Sequence, residues 1–466
     1  MATKKPHASE TWILNGVLYT QDSNRRVQQA HLRIQDGRIT AITQKKPARF
    51  PKGSKIIDAK GLTLLPGFVQ AHIHLCQTLF RNLADDLELL DWLSKRIWVM
   101  EAAHTPETLY TSALLGIHEL LSSGTTCLLD MGTVRHTDSI FKAVQKTGIR
   151  ANVGKCLMDH PTNNPVTLQE PTRDALDEAE DLYHRWNGSH GDRIRASYAP
   201  RFVISCTEKL LTEVARLAQE RKAVVHTHAS ENLKEIQFVK KLVNCENVEY
   251  LHQLGLTSPQ LVLAHCVWLK PSEQEILKKT GTHVVHCPSS NMKLASGLAH
   301  VPEMLKLGIN VALGADGAPC NNNLNMFNEM RLAALIHKPG SGPKAMRAQD
   351  VLDMATMGGA RALSWDKEIG SIELGKKADL IALDLNTLTN TVPETQRLSS
   401  EAIASSVVYS TNTPHLQWTM VDGKILFDQK AKFQSCLELK SETLLKRVHR
   451  AQKQIMREVA EINSKK

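Results

Sequence analysis

Pro66-Gly67-Phe68-Val69-Gln70-Ala71-His72-Ile73-His74 is where the chain changes its pattern. Pro-Gly breaks whatever precedes it, and the seven residues after it form a near-continuous apolar run. That is how a strand buried on both faces reads. Side chains alternate across a strand, so His72 and His74 share one face. Seven further runs follow, at Thr125–Asp130, Arg150–Leu157, Ile194–Ala199, Ala223–His228, Leu261–His265, His283–His286 and Ile309–Leu313. Helical stretches such as Leu109–Leu121 and Leu210–Gln219 lie between them. Eight alternations over roughly 300 residues predict an α/β fold, a (β/α)8 TIM-like barrel, across residues 66–369.

On either side of that barrel the pattern is β. In residues 1–65, Trp12 to Tyr19 reads as a hairpin centred on Asn15-Gly16. Ala30–Ile34 and Arg38–Ile42 flank a second turn at Asp36-Gly37. Residues 370–436 return to strands, at Gly375–Leu383 and Thr419–Leu426. The simplest arrangement joins both ends in one small β-sandwich beside the barrel. In residues 437–466, Leu444, Val448, Ala451, Ile455, Val459 and Ile462 recur at helical spacing, with Ser441 placed as an N-cap. This amphipathic helix should dock its apolar stripe on the body or on a neighbouring subunit.

The net charge of +9 raises the question of an anionic partner. Ten Lys and Arg against four Glu lie between Lys430 and Lys466, so six of those nine charges ride on the tail. The barrel is left nearly neutral, and no zinc-finger, RNP or helix-turn-helix signature is present. A nucleic-acid partner is therefore not expected. No apolar run is long enough for a membrane span and no secretory leader is evident. Nine scattered cysteines without a C-x2-C pair read as reduced thiols in a cytoplasmic protein.

The chemistry is carried by histidine, of which there are 20. His72 and His74 point into the barrel and can share one metal ion. In Val224-Val225-His226-Thr227-His228-Ala229-Ser230-Glu231, His226 and His228 also share a face. His228 is nearer the C-terminal mouth, where barrel active sites form, so it is the third ligand and His226 is inner-layer packing. Glu231, on the following loop, is placed as an acid/base carboxylate beside an activated water. His265 ends the sixth run as a ligand or as a group orienting that water. Asp316 ends the eighth as a ligand or as a turn former beside Gly317. His-rich ligation with one carboxylate suits Zn²⁺, with Fe²⁺ the other candidate.

This order of residues, from Pro66-Gly-Phe-Val through His72-x-His74, His228-x-x-Glu231, His265 and Asp316, resembles the amidohydrolase superfamily in its mononuclear deaminase branch. The resemblance extends to Gly370–Leu380, the return to the sandwich. Further stretches resemble deaminases of 5′-deoxyadenosine, 5′-methylthioadenosine and S-adenosylhomocysteine. They are Leu79–Asp86, Asp91–Leu93, Ile97–Glu101, His286–Leu294 and Gly317–Leu324. The resemblance implies one metal, held by His72, His74, His228 and Asp316, with Glu231, His265 and Asp316 catalytic. Binuclear members carry a Lys at the end of the fourth strand, where this chain reads Ala196-Ser-Tyr-Ala-Pro-Arg-Phe202. It also implies hydrolytic deamination of a purine nucleoside to its inosine analogue, by a homo-oligomeric enzyme. Guanine-like or s-triazine rings are the alternative substrates, and a non-catalytic scaffold is the second alternative. The ligands such a scaffold would lose are all present here. The candidate substrate-binding residues are Glu101, matching the ribose-diol position of relatives, Trp98, Arg201 and Arg193. Arg201 stands where relatives acting on methylthioadenosine carry His. Cytidine-type zinc deaminases need P-C-x-x-C, which Pro319-Cys320-Asn321-Asn322-Asn323 does not supply.

Overall fold

The computed structural model describes residues 10–431 and 441–464. The barrel strands are Phe68–His74, Thr125–Asp130, Arg150–Leu157, Ile194–Pro200, Val225–Ala229, Leu261–His265, His283–His286 and a divided eighth. The first part of that eighth strand, Val311–Leu313, pairs with the seventh, and the second, Asp316–Gly317, pairs with the first. The parallel sheet therefore closes on itself. Gly314, in the gap, permits the closure: a Cβ there would sit 2.7 Å from the His72 carbonyl oxygen. The eighth run expected at Ile309–Leu313 is thus shorter and interrupted, because its far half must cross to strand one.

Val69, Ala71, Cys127, Leu129, Val224, Val262, Val285 and Ala312 form one buried cluster with Trp365 and Ile369. Residues from strands on opposite sides of the ring can meet only inside it, so this cluster is the barrel interior. The larger cluster, with Phe68, Leu128, Ala151, Leu263 and Val284, packs the outer strand faces against the helices.

Both chain ends supply the sheet beside the barrel. Leu380–Leu383 runs antiparallel to Thr63–Pro66 and to Leu416–Val421, and Thr63–Pro66 pairs with Glu10–Tyr19. The Asp36-Gly37 turn forms with φ of +51° and +77°, the two left-handed residues of a type I′ hairpin. The hairpin expected at Asn15-Gly16 does not form. Glu10–Tyr19 is a single strand with a bulge between Ile13 and Gly16. Asn15 is left-handed, at φ +64°, and donates from Nδ2 to Asp58 Oδ1 at 2.9 Å. An Asn-Gly pair serves a bulge as well as a turn. Ile13 and Leu18 are five residues apart and enter the same core, which a regular strand would forbid and the extra residue allows.

One buried ion cluster joins the two units. Arg150, at the base of the third barrel strand, donates from Nε to Asp379 Oδ2 and from Nη2 to Asp422 Oδ1, both at 2.7 Å. Asp379 opens the returning strand and Asp422 sits in the turn of the last hairpin. Arg150→Ala strands two carboxylates, one of them fully buried. It is expected to cost about 3–5 kcal/mol, seen as a lower urea midpoint.

The tail helix, Ser441–Ser464, buries Leu444, Val448, Ala451 and Ile455 on the protein's own body. Gln452 Nε2 donates to the Leu79 carbonyl at 3.1 Å, just past His74. The N-cap contact expected of Ser441 lies outside the described residues. Among the described residues, no helix is long and apolar enough to cross a membrane.

Candidate active site

The C-terminal rim of the barrel gathers the expected ligands. His74 Nε2 lies 3.2 Å from His228 Nε2. Asp316 Oδ1 lies 3.2 Å from His72 Nε2 and 3.4 Å from His74 Nε2. His72, His228, His265 and Asp316 each place a donor atom within 4.8 Å of the others'. His72 Nε2 is buried with no hydrogen bond of its own. A buried imidazole nitrogen left so costs about 1–3 kcal/mol, and convergence of several on one point is what a cation requires.

Backing contacts set the tautomers. His228 Nδ1 donates to the Arg201 carbonyl at 2.6 Å, which turns its Nε2 lone pair to the centre. His72 Nδ1 lies 2.8 Å from His226 Nε2. His226, read from sequence as inner-layer packing, therefore also buttresses an expected ligand. Burial holds His72 below, and His74 and His228 well below, the ordinary imidazole value, so all three are neutral. Burial alone would raise Asp316, but the imidazoles around it, His72 first and then His265 and His74, hold it well below the carboxylate range. Three neutral imidazoles and one carboxylate fit Zn²⁺ or Fe²⁺.

Strand alternation would point His265 outward, with Leu261 and Leu263 toward the helices. Its φ of +74° reverses it into the mouth. There His265 Nδ1 donates to Asn291 Oδ1 at 2.8 Å, and Nε2 faces Glu231 Oε2 at 3.5 Å and Asp316 Oδ2 at 3.8 Å. Ser230, Cys266 and Asp316 are left-handed too, at φ +53°, +46° and +60°. Non-glycine residues hold that conformation at a cost of roughly 1–3 kcal/mol each, and here all four sit at the rim of one cluster.

Glu231 is buried, and burial raises its carboxyl to about 7, with His265 opposing. Ser296 Oγ donates to its Oε1 at 3.2 Å, and Glu235 Oε2 accepts its backbone N–H at 2.7 Å. Ser290 Oγ donates to Asp316 Oδ2 at 2.6 Å. Sequence reasoning singled out none of Ser290, Asn291, Ser296 and Glu235. The first two lie within His286–Leu294, one of the stretches that carried the resemblance.

A narrow cavity opens over this floor, walled by Gln77, Trp92, Leu93, Arg201, Phe202 and Leu294. The structure brings Arg201 to the cavity but not the other three expected substrate contacts. Trp98 is half-buried against Met131, Val134, Cys156 and Met158; Trp92, one turn and a half earlier, takes the wall. Glu101 stands behind Arg201, which donates to it from Nη1 at 2.6 Å and Nη2 at 3.3 Å. Arg193 is a correction of place: it precedes the fourth strand, at the base of the barrel opposite the mouth. There its Nη1 donates to the Ile149 carbonyl at 2.8 Å.

This chain is similar to several known proteins. A 5′-deoxyadenosine deaminase of Methanobrevibacter smithii is 41% identical over 377 residues, 81% of this chain and 83% of its own. A 5-methylthioadenosine/S-adenosylhomocysteine deaminase of Acetivibrio thermocellus is 39% identical over 412 residues, 87% of this chain and 90% of its own. The crystal structure of an adenosine deaminase from Xanthomonas campestris with bound zinc superposes with a TM-score of 0.87. It is 29% identical and covers 97% of this chain and 100% of that one. The sequence profile of the amidohydrolase family matches residues 63–426. That span runs from the strand before His72 to the last hairpin and takes in every strand of the barrel; the chain belongs to the amidohydrolase family.

Proposed function

We propose that this protein is a metal-dependent hydrolytic deaminase of adenosine-type nucleosides. Its substrates are 5′-deoxyadenosine, 5′-methylthioadenosine, S-adenosylhomocysteine or adenosine, and its products are the inosine analogue and ammonia. The observation that carries this reading is Glu231: a buried carboxyl poised near neutrality beside a convergent set of candidate ligands, at the floor of a cavity in the barrel mouth. His72, His74, His228 and Asp316 would hold one divalent metal, zinc first and iron second. Such a cation supplies Lewis-acid activation of water. Asp316 and His265 orient that water and accept its proton. Glu231 delivers a proton to the ring nitrogen beside C6, which makes C6 electrophilic. The C6–O bond forms, the C6–N bond breaks, and a second proton leaves with ammonia. The names of the relatives support this substrate class. The cytoplasmic location and homo-oligomeric state expected from the sequence belong to the same reading.

The test is ammonia release from 5′-deoxyadenosine, methylthioadenosine, S-adenosylhomocysteine, adenosine, guanine and ammeline by the metal-loaded protein. Release is expected from at least one adenosine analogue, with kcat/KM at least about tenfold above guanine and ammeline, a modest margin for a site that hydrogen-bonds its substrate. Ammonia from guanine or ammeline alone would replace the nucleoside reading with the ring reading.

A further inference from the structure

Behind the candidate metal set lies a carboxylate that the mechanism does not use. Glu329 stands in the first turn of the helix Met326–Ile336 and is fully buried. Its partners are neutral donors. Ser289 gives its backbone N–H to Oε2 at 3.2 Å and its hydroxyl to Oε1 at 2.5 Å. Asn321 Nδ2 donates to Oε1 at 2.8 Å. The first contact has a cause in the sequence. Pro288 opens the short helix Pro288–Lys293 and has no N–H, and the N-cap residue Cys287 makes no side-chain cap. The Ser289 N–H is then the first unsatisfied donor of that helix, and a carboxylate from another element caps it. Burying a carboxylate is costly, and a residue that only filled this space need not be one.

What Glu329 holds is what holds the site. The next two residues of the capped helix are Ser290, which donates to Asp316 Oδ2 at 2.6 Å, and Asn291, which accepts from His265 Nδ1 at 2.8 Å. Asn321 gives its other amide hydrogen to the Ala315 carbonyl at 2.8 Å, one residue before Asp316. The loops after the seventh and eighth strands thus meet on one buried carboxylate. We infer that Glu329 is a positioning residue for Asp316: through Ser289 it fixes the helix that sets Ser290 against the Asp316 carboxylate, and through Asn321 it fixes the backbone that carries Asp316. This rests on the metal set proposed above. Glu329 is not among the residues that wall the cavity, so its effect passes through these neighbours.

The test is a double-mutant cycle read in zinc affinity. Chelator-treated wild type, Glu329→Gln, Ser290→Ala and the double variant are titrated with Zn²⁺ against a chromogenic chelator. Gln keeps the shape of Glu329 but turns an NH2 group toward one of its donors. Each single change is expected to weaken zinc binding about 10–100-fold, the range for groups behind a ligand. The double variant is expected to fall well short of the product of the two losses, because both remove the same support from Asp316. Should Glu329→Gln not fold, Ser289→Ala deletes one donor, leaves the carboxylate and enters the same cycle, with an expected loss of at least about fivefold. Zinc affinity at the wild-type level in the folded variant, or a double-variant loss equal to the product of the single losses, overturns the assignment and leaves the metal set standing. Wild type that takes up no zinc overturns both.

Discussion

A Glu231→Gln protein is expected to purify with its full complement of metal and to lose about 10³-fold in kcat, within the range for removal of a general acid/base. Gln matches Glu in shape, so the cavity keeps its form. The ligand set is untouched, because Glu231 Oε2 faces the His265 ring at 3.5 Å and stands outside the cluster of donor atoms. Its backbone N–H remains held by Glu235, and Ser296 still has an amide oxygen to meet. What is lost is a proton. Burial has lifted the carboxyl to about 7, so a protonated and an ionised form are both accessible near neutrality. An amide offers neither exchange. The loss should fall on kcat, with KM for the nucleoside changed little, because the proton is needed only as the transition state forms. Measured turnover at the wild-type level, with metal in place, removes Glu231 from the chemistry.

The barrel was legible because its strands read as apolar runs alternating with helical stretches, although strand one itself breaks its alternation between Gln70 and Ile73. The expected ligands come together because residues at strand ends converge whatever the loops do. Three particulars were not legible. Asn15-Gly16 supplies a left-handed residue to a bulge as readily as to a turn, and only the core shared by Ile13 and Leu18 decides between them. His265 reaches the site by a backbone reversal that no spacing encodes. Glu101 and Arg201, 100 positions apart, meet as a buried ion pair that no spacing in the sequence encodes. Arg193, by contrast, precedes its barrel strand, and a residue at a strand's start lies at the base of the barrel, away from the mouth.

Asp316→Asn is expected to do the opposite of Glu231→Gln: metal affinity falls first and activity follows. Asp316 is the one anion in the set, its Oδ1 facing both His72 and His74, and its Oδ2 accepting from Ser290 at 2.6 Å. An amide there is nearly the same shape but carries no charge, and its NH2 end cannot accept from the Ser290 hydroxyl or the Gly317 N–H. Disturbing only the groups behind a ligand typically costs 10–100-fold in metal affinity, so replacing the ligand itself should exceed about 100-fold. Dialysed Asp316→Asn protein should then hold less than about a tenth of the metal of wild type. Its thermal midpoint should approach that of chelator-treated wild type, since a metal that binds only the folded state stabilises it by mass action. Chelator-treated wild type should recover activity when Zn²⁺ is returned, and Asp316→Asn should not at the same concentration. Taken with Glu231→Gln, the pair separates holding the metal from moving the proton. If Asp316→Asn retains stoichiometric metal and loses only turnover, Asp316 acts on the water alone and the ligand set closes through His265, the remaining member of the cluster.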